Sequence, residues 1–367
     1  MICASRPLAL VAPLALALLS GCATQPEPTG GEVGLPNAGA GPFRALIQGE
    51  IGNLRTAPTA LSDSRSLARD IAVIDLDGDP DTLGVVAFVA ASVKENGEDP
   101  GPDSPTRVIT RHGALDGRSF DRSALAVLTA DLPWEGGVLA APAAILVDGE
   151  VRLYYAAAGG IGLARGDAEG MAFEKHGDPV LAPQQGGWEA GAAPASPGIL
   201  RLTDGTYRMF YEVSLPSGGT AIGEARSADG LSFERVGDTP VLLPGQDLTE
   251  SGDPPYDSAA VGGPSPILAD SGTGEGVIRV YYSATDAAGK RTIGLAARYG
   301  DSGPLSRAVA PVFGTSKPLD PREPCVVRFN GFTLLYATQR GSITSADPVV
   351  AAGVAPATVT LPPPDPE

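Results

Sequence analysis

The chain has 367 residues, 43% hydrophobic and 19% charged, which excludes a disordered polyelectrolyte and leaves ample material for one large core or two ordinary ones. Its 48 glycines and 35 prolines are spread along the whole length, which excludes a long all-helical protein and points to strands and turns. Lys plus Arg number 26 against 43 Asp plus Glu, a formal charge of −17, which excludes a nucleic-acid partner and adhesion to an anionic membrane through a polybasic face.

The first element in chain order is a targeting segment. Met1 to Cys22 opens with a positive charge at Arg6 and continues as the 12-residue apolar stretch Leu8 to Leu19. That stretch is too short to span a bilayer, which takes about 20 residues. Its end, Leu19-Ser20-Gly21-Cys22, resembles the lipobox of bacterial lipoprotein signal peptides. The resemblance implies that residues 1–21 are removed, that Cys22 is acylated, and that the protein is held in the cell envelope by lipid. Ala23 after the cysteine implies outer-membrane sorting in a cell with two membranes. Residues 22–45 are rich in Pro, Gly, Thr and Ala and read as a flexible tether, and residues 351–367 read as a disordered tail. With Cys3 removed and Cys22 lipidated, Cys325 stands alone, so no intramolecular disulfide forms. His112 and His176 are the only histidines; each reads as a surface loop residue, and together they are too few for a His-based metal site or a Ser-His-Asp triad. No nucleotide-binding motif occurs, and no cofactor is required.

Residues 46–350 are organised by a repeat. Four strands recur with an aromatic end: Glu150-Val151-Arg152-Leu153-Tyr154-Tyr155, Tyr207-Arg208-Met209-Phe210-Tyr211, Val277-Ile278-Arg279-Val280-Tyr281-Tyr282 and Phe332-Thr333-Leu334-Leu335-Tyr336. Three are launched from Asp148-Gly149, Asp204-Gly205 and Asn330-Gly331 turns. The reading takes Tyr155, Tyr211, Tyr282 and Tyr336 as equivalent. Before each lies an apolar strand with a proline near its start, at Pro142, Pro197, Pro264 and Pro324. Three are followed by a small-residue strand beginning Ile161-Gly162, Ile222-Gly223 or Ile293-Gly294. A weaker first copy runs from Asp70 through Phe120. Five units of roughly 60 residues and four strands each predict an all-β five-bladed propeller.

The unit "proline, apolar pair, Asp-Gly, Tyr-Tyr, Ile-Gly-x-Ala" resembles the five-bladed propellers of arabinanases, xylosidases, levansucrases and invertases. The resemblance implies a central funnel in which acids on the inner strands of the first, third and fourth blades perform glycoside hydrolysis. Counting three residues back from each apolar pair gives Asp70, Pro142, Ser196, Pro264 and Glu323 as the matching column. Asp70 matches the base; Ser196 and Pro264 stand where the family carries its other two acids. Asp70 and Glu323, 253 residues apart, are expected to meet at one mouth when the ring closes.

Glu212 is a further candidate, because the sister units carry Ala156, Ser283 and Ala337 at the corresponding strand end; a solvated strand end is the other reading. Arg322 can hold a substrate group or pair with Glu323. Glu135, Glu189 and Asp257 recur after an aromatic residue and so read as parts of the repeat. Asp75, Asp77, Asp79 and Asp81 offer oxygen ligands for calcium, or form an acidic hairpin turn. Two functions follow. One is a monomeric, non-catalytic module binding a glycan or an envelope protein, favoured by the acids missing at Ser196 and Pro264. The other is a glycoside hydrolase or transglycosidase using Asp70 with Glu323 or Glu212.

Overall fold

The computed structural model describes residues 40–45, 66–77, 84–93, 104–117, 120–121, 125–249, 252–270, 276–314, 320–329, 332–340 and 348–354. These form five four-stranded antiparallel sheets. A short strand, β1 (Arg44–Ala45), precedes blade one, which comprises β2 (Ser66–Ile74), β3 (Val85–Val93), β4 (Val108–Ala114) and β5 (Leu125–Thr129). Blade two is β6 (Ala140–Val147), β7 (Glu150–Ala157), β8 (Gly160–Gly166) and β9 (Phe173–Lys175). Blade three is β10 (Ala195–Arg201), β11 (Tyr207–Ser214), β12 (Thr220–Ser227) and β13 (Glu234–Arg235). Blade four is β14 (Ala260–Asp270), β15 (Gly276–Thr285), β16 (Arg291–Tyr299) and β17 (Ser306–Arg307). Blade five joins β18 (Arg322–Phe329), β19 (Phe332–Arg340) and β20 (Pro348–Val354) to β1.

The inner strands β2, β6, β10, β14 and β18 touch in succession and β18 returns to β2, closing the predicted five-bladed ring. The seam is a strand from the start of the chain: Arg44 and Ala45 pair with Val354 and Gly353. Ala40 and Phe43 are buried against blades four and five, and the Phe43 N–H donates to the Val312 carbonyl at 2.7 Å. The sheets therefore reach a little outside the 46–350 span read from the sequence. A two-residue strand is too short to show an alternating pattern.

The aromatic pairs follow from the two-sidedness of a strand. Tyr154 enters the core between blades two and three, and Tyr155 the core between one and two. Tyr281 and Tyr282 divide in the same way between the four–five and three–four cores. Each phenol side chain fully buried this way contributes on the order of 1.5–3 kcal/mol. Opposite Tyr155, Tyr211 and Tyr282 the neighbouring strand carries Gly162, Gly223 and Gly294, where any Cβ would strike the tyrosine ring. That contact explains the Ile-Gly motif. Tyr336 is the exception: it pairs with Cys325 in the register of Tyr154, Phe210 and Tyr281, so Ala337 holds the place of the second aromatic.

The recurring acids are fastened inside their own blades. Glu135, Glu189 and Asp257 are fully buried. They accept the phenol hydroxyls of Tyr155 at 2.8 Å, Tyr211 at 2.6 Å and Tyr282 at 2.9 Å. A cation from the outermost strand completes each group: Lys175 at 2.7 Å from Glu135, Arg235 at 2.7 Å from Glu189, and Arg307 at 3.0 Å from Asp257. Each clasp ties an entry loop to the second and fourth strands of one blade, the structural role their recurrence predicts.

Candidate funnel site

All five inner strands break register near their start, between Arg69 and Ile71, Ala140 and Ala143, Ala195 and Gly198, Gly262 and Ser265, and Arg322 and Cys325. At each bulge one residue adopts positive φ: Asp70 (31°), Ala141 (43°), Ser196 (41°), Gly263 (52°) and Glu323 (49°). A bulge re-aims its residue, here toward the axial mouth. The strain is a property of the fold, because Ala141 bears it without any chemistry to perform. This ring corrects the sequence column in blades two and four, where the positions are Ala141 and Gly263 rather than Pro142 and Pro264. The inner strands are buried on both faces, so their apolar runs do not fix parity and the count slips by one. The prolines fall one step deeper and line a narrow axial cavity of about 80 Å³ with Cys325. That is too small for a sugar ring, which confines a ligand to the mouth.

Four of the five bulge N–H groups, those of Asp70, Ala141, Gly263 and Glu323, are satisfied by a side chain of the preceding blade. Thr338 Oγ1 of blade five accepts the Asp70 N–H at 2.9 Å, and Ser283 Oγ of blade four accepts that of Glu323 at 2.8 Å. In blade three the same duty falls to Glu212, whose Oε2 accepts the Gly263 N–H at 3.0 Å. Asp70 Oδ2 itself takes the Ala141 N–H at 3.3 Å. Glu212 is thus turned inward at the register of Ala156, Ser283 and Thr338, and is not a solvated strand end. Counting from the aromatic pair gives Ala337, one residue short, because Tyr336 is displaced in register.

Asp70, Glu212 and Glu323 meet electrostatically at this mouth. Burial raises the Glu323 carboxyl well above its ordinary value, and the charges of Asp70 and Glu212 push it further, against weaker opposition from Arg322 and the Ser196 hydroxyl. Glu212 is raised by burial and by Asp70, while the Gly263 N–H favours its charged form. Asp70 is raised by burial too, but Arg322, the Ala141 N–H and Arg69 all favour its carboxylate. The Arg322 guanidinium makes no ion pair and no hydrogen bond with a described residue, and its charge favours the carboxylates of both Asp70 and Glu323. Ser196, standing where the resemblance places an acid, is 9% exposed, and its hydroxyl weakly favours the charged form of Glu323.

The other candidates lie apart. Asp75 Oδ1 accepts the Asp77 N–H at 3.2 Å in a short turn at the edge of blade one, and Asp79 and Asp81 lie outside the described residues. No group of three or more His, Cys, Asp or Glu side chains among the described residues is arranged to hold a metal ion. His176 is exposed, as expected of a loop residue. His112 is instead buried on β4, with Nε2 2.9 Å from Thr110 Oγ1 and Nδ1 2.7 Å from the Asp121 carbonyl; burial lowers its pKa. Cys22 lies outside the described residues; among the described residues, no helix is long and apolar enough to cross a membrane.

No protein-family model matches the chain, and no curated protein matches it by sequence. Solved structures do match by fold. A thermostable family-43 glycoside hydrolase superposes with a TM-score of 0.56 at 17% identity, over 85% of this chain and 99% of its own. A β-xylosidase/α-arabinofuranosidase from a compost microbial metagenome, solved with xylotriose, gives 0.56 at 14% identity over 87% and 97%. An endo-arabinase from Bacteroides thetaiotaomicron gives 0.55 at 14% identity over 85% and 99%. The chain has the five-bladed propeller fold of these glycosidases.

Proposed function

We propose that this protein is lipid-anchored in the cell envelope through Cys22 and that its funnel takes a glycan and hydrolyses a glycosidic bond. The observation that carries the reading is the convergence of three carboxyl groups in unlike surroundings at one axial mouth. Glu323 is raised most and has only one weak cationic neighbour, which suits a group that holds a proton at neutral pH. Asp70 has two arginines and a backbone N–H favouring its carboxylate, which suits a base. Glu323 then gives its proton to the departing glycosidic oxygen as the bond to the anomeric carbon breaks and its electron pair moves to that oxygen. Asp70 takes a proton from the water whose oxygen bonds to the anomeric carbon, and exchange with solvent resets both groups. Arg322 donates to a sugar hydroxyl.

A second reading, a funnel that binds glycans without turning them over, is favoured by Ser196 and Gly263 at two positions where the resemblance places acids. Chromogenic arabinosides, xylosides, fructosides and mannosides assayed with the mature chain separate the two. Turnover that falls by about 10²–10⁴ in Asp70→Asn supports hydrolysis. Retention on immobilised glycans with no turnover of any probe supports the binding module, and neither result removes the glycan reading. For the anchor, Cys22→Ala is expected to leave the membrane fraction; its retention there contradicts lipidation.

A further inference from the structure

Blade four brings no acid to the funnel, yet two carboxyl groups crowd its bulge. A Cβ on Gly262 would collide with Glu212 Oε2, and one on Gly263 would lie 2.8 Å from Glu323 Oε2. The Gly263 N–H holds Glu212 Oε2 at 3.0 Å, and N and Cβ of one residue are roughly 2.5 Å apart, so the two oxygens lie within about 8 Å of each other. The side-chain-free step Gly262–Gly263 is therefore a notch filled from both sides, by the second strand of blade three and the inner strand of blade five. Backbone capping alone does not require a carboxylate at Glu212, because Ser283 and Thr338 cap the next two bulges with a hydroxyl.

We propose that Glu212 and Glu323 form the proton-donating element of the funnel, a carboxyl pair assembled from blades three and five over the Gly262–Gly263 step in place of an acid on blade four. The proposal rests on the hydrolytic reading above and adds a positioning role for Glu212. Its negative charge keeps the proton on Glu323 until a glycosidic oxygen arrives. The pair shares its surroundings with Asp70, Arg322 and, beyond Asp70, Arg69, and with the hydroxyls of Ser196 and Ser283. Asp70 acts on Glu323 in the same sense as Glu212, and Arg322 in the opposite one.

Two substitutions move the Glu212 carboxyl in different ways. Glu212→Thr installs the residue that blade five carries, retaining an acceptor for the Gly263 N–H while removing the charge. Gly262→Ala leaves the charge and pushes the carboxyl out of the notch. Carboxyl titration followed by NMR on the full mature chain labelled in glutamate reads Glu323 directly, with Glu323→Gln assigning its signal. The midpoint of Glu323 is expected to fall in both variants, and the alkaline limb of turnover on the chromogenic glycosides to move to lower pH with it. The double variant Glu212→Ala/Gly262→Ala, which removes the collision, is expected to recover thermal stability lost in Gly262→Ala. An unmoved Glu323 midpoint in Glu212→Thr overturns the pair whatever the glycoside assays show, and decides the matter alone should Gly262→Ala not fold. A falling midpoint in a protein that turns over no glycoside leaves the pair standing and removes the hydrolytic reading.

Discussion

Two sets of carboxyl groups are withdrawn from water in this propeller, and they are treated in opposite ways. Glu135, Glu189 and Asp257 each receive a tyrosine hydroxyl and a lysine or arginine within 3.0 Å. Asp70 and Glu212 each receive one backbone N–H, the charges of Arg322 and Arg69 favour the Asp70 carboxylate, and Glu323 has the charge of Arg322 alone against those of its two carboxyl neighbours. A clasp acid is matched to its site and appears once in each of three blades. A funnel acid is left with an unmet electrostatic demand and does not recur through the ring: only two of the five bulges carry an acid, and Glu212 has no acidic counterpart at its register. Recurrence with full compensation marks a part of the scaffold; singularity with incomplete compensation marks a place where a ligand can supply what is missing.

The largest effect that tests this contrast is removal of a clasp cation. Arg235→Met leaves Glu189 fully buried without its counter-charge, and the expected cost is about 3–5 kcal/mol in urea unfolding. A loss below 1 kcal/mol would mean that the clasp acids are no more neutralised than the funnel acids. Next in size is Tyr211→Phe, which removes the 2.6 Å bond to the same carboxylate and keeps the ring; about 1.5–3 kcal/mol is expected. Its equivalents Tyr155→Phe and Tyr282→Phe should fall in the same range, since burial and the adjoining carboxylate raise both phenols as they raise Tyr211. Thr338→Val comes third. It keeps the shape and orphans the Asp70 N–H, at a cost of about 1–3 kcal/mol measured the same way, and unchanged stability would show that the bulge needs no acceptor.

How much of this was legible in the sequence divides along the same line. The blades were readable because Asp-Gly turns, aromatic strand ends and Ile-Gly strands recur, and recurrence averages out local ambiguity. The three clasp acids were readable for the same reason, although their cations were not: Lys175, Arg235 and Arg307 sit on strands of two or three residues with no pattern of their own. Asp70 and Glu323 were found because a proline or an apolar run follows each bulge. Ala141 and Gly263 were missed by one residue because a strand buried on both faces shows no parity. Glu212 stands out by its uniqueness among the strand ends, but nothing local decides between an inward turn and a solvated end. The inward turn depends on Gly262 and Gly263 in the next blade lacking side chains, and one sequence cannot tie two residues fifty positions apart into a single packing event.

The smallest effect expected is a gain. Glu323 has its pKa raised in the folded protein, above the ordinary value of 4.5, by burial and by two like charges. A carboxyl group raised on folding binds its proton more tightly in the native state than in the unfolded chain. Its contribution to stability is therefore fully present below the ordinary value and is lost as pH rises through the folded one. Replacing it with an uncharged side chain of the same shape should relieve that loss. Glu323→Gln is expected to raise stability at pH 7 by about 0.5–2 kcal/mol, the range of single stabilising substitutions, and to change nothing below pH 4. Glu189→Gln should do the reverse at pH 7, because there the neutral amide leaves Arg235 without its counter-charge. If both substitutions destabilised the protein at neutral pH, the funnel acids would be as well compensated as the clasp acids, and the distinction between scaffold and site would fall. If they part in sign, the protein holds Glu323 in place at a cost to its own stability, as expected of a group kept for a ligand rather than for the fold.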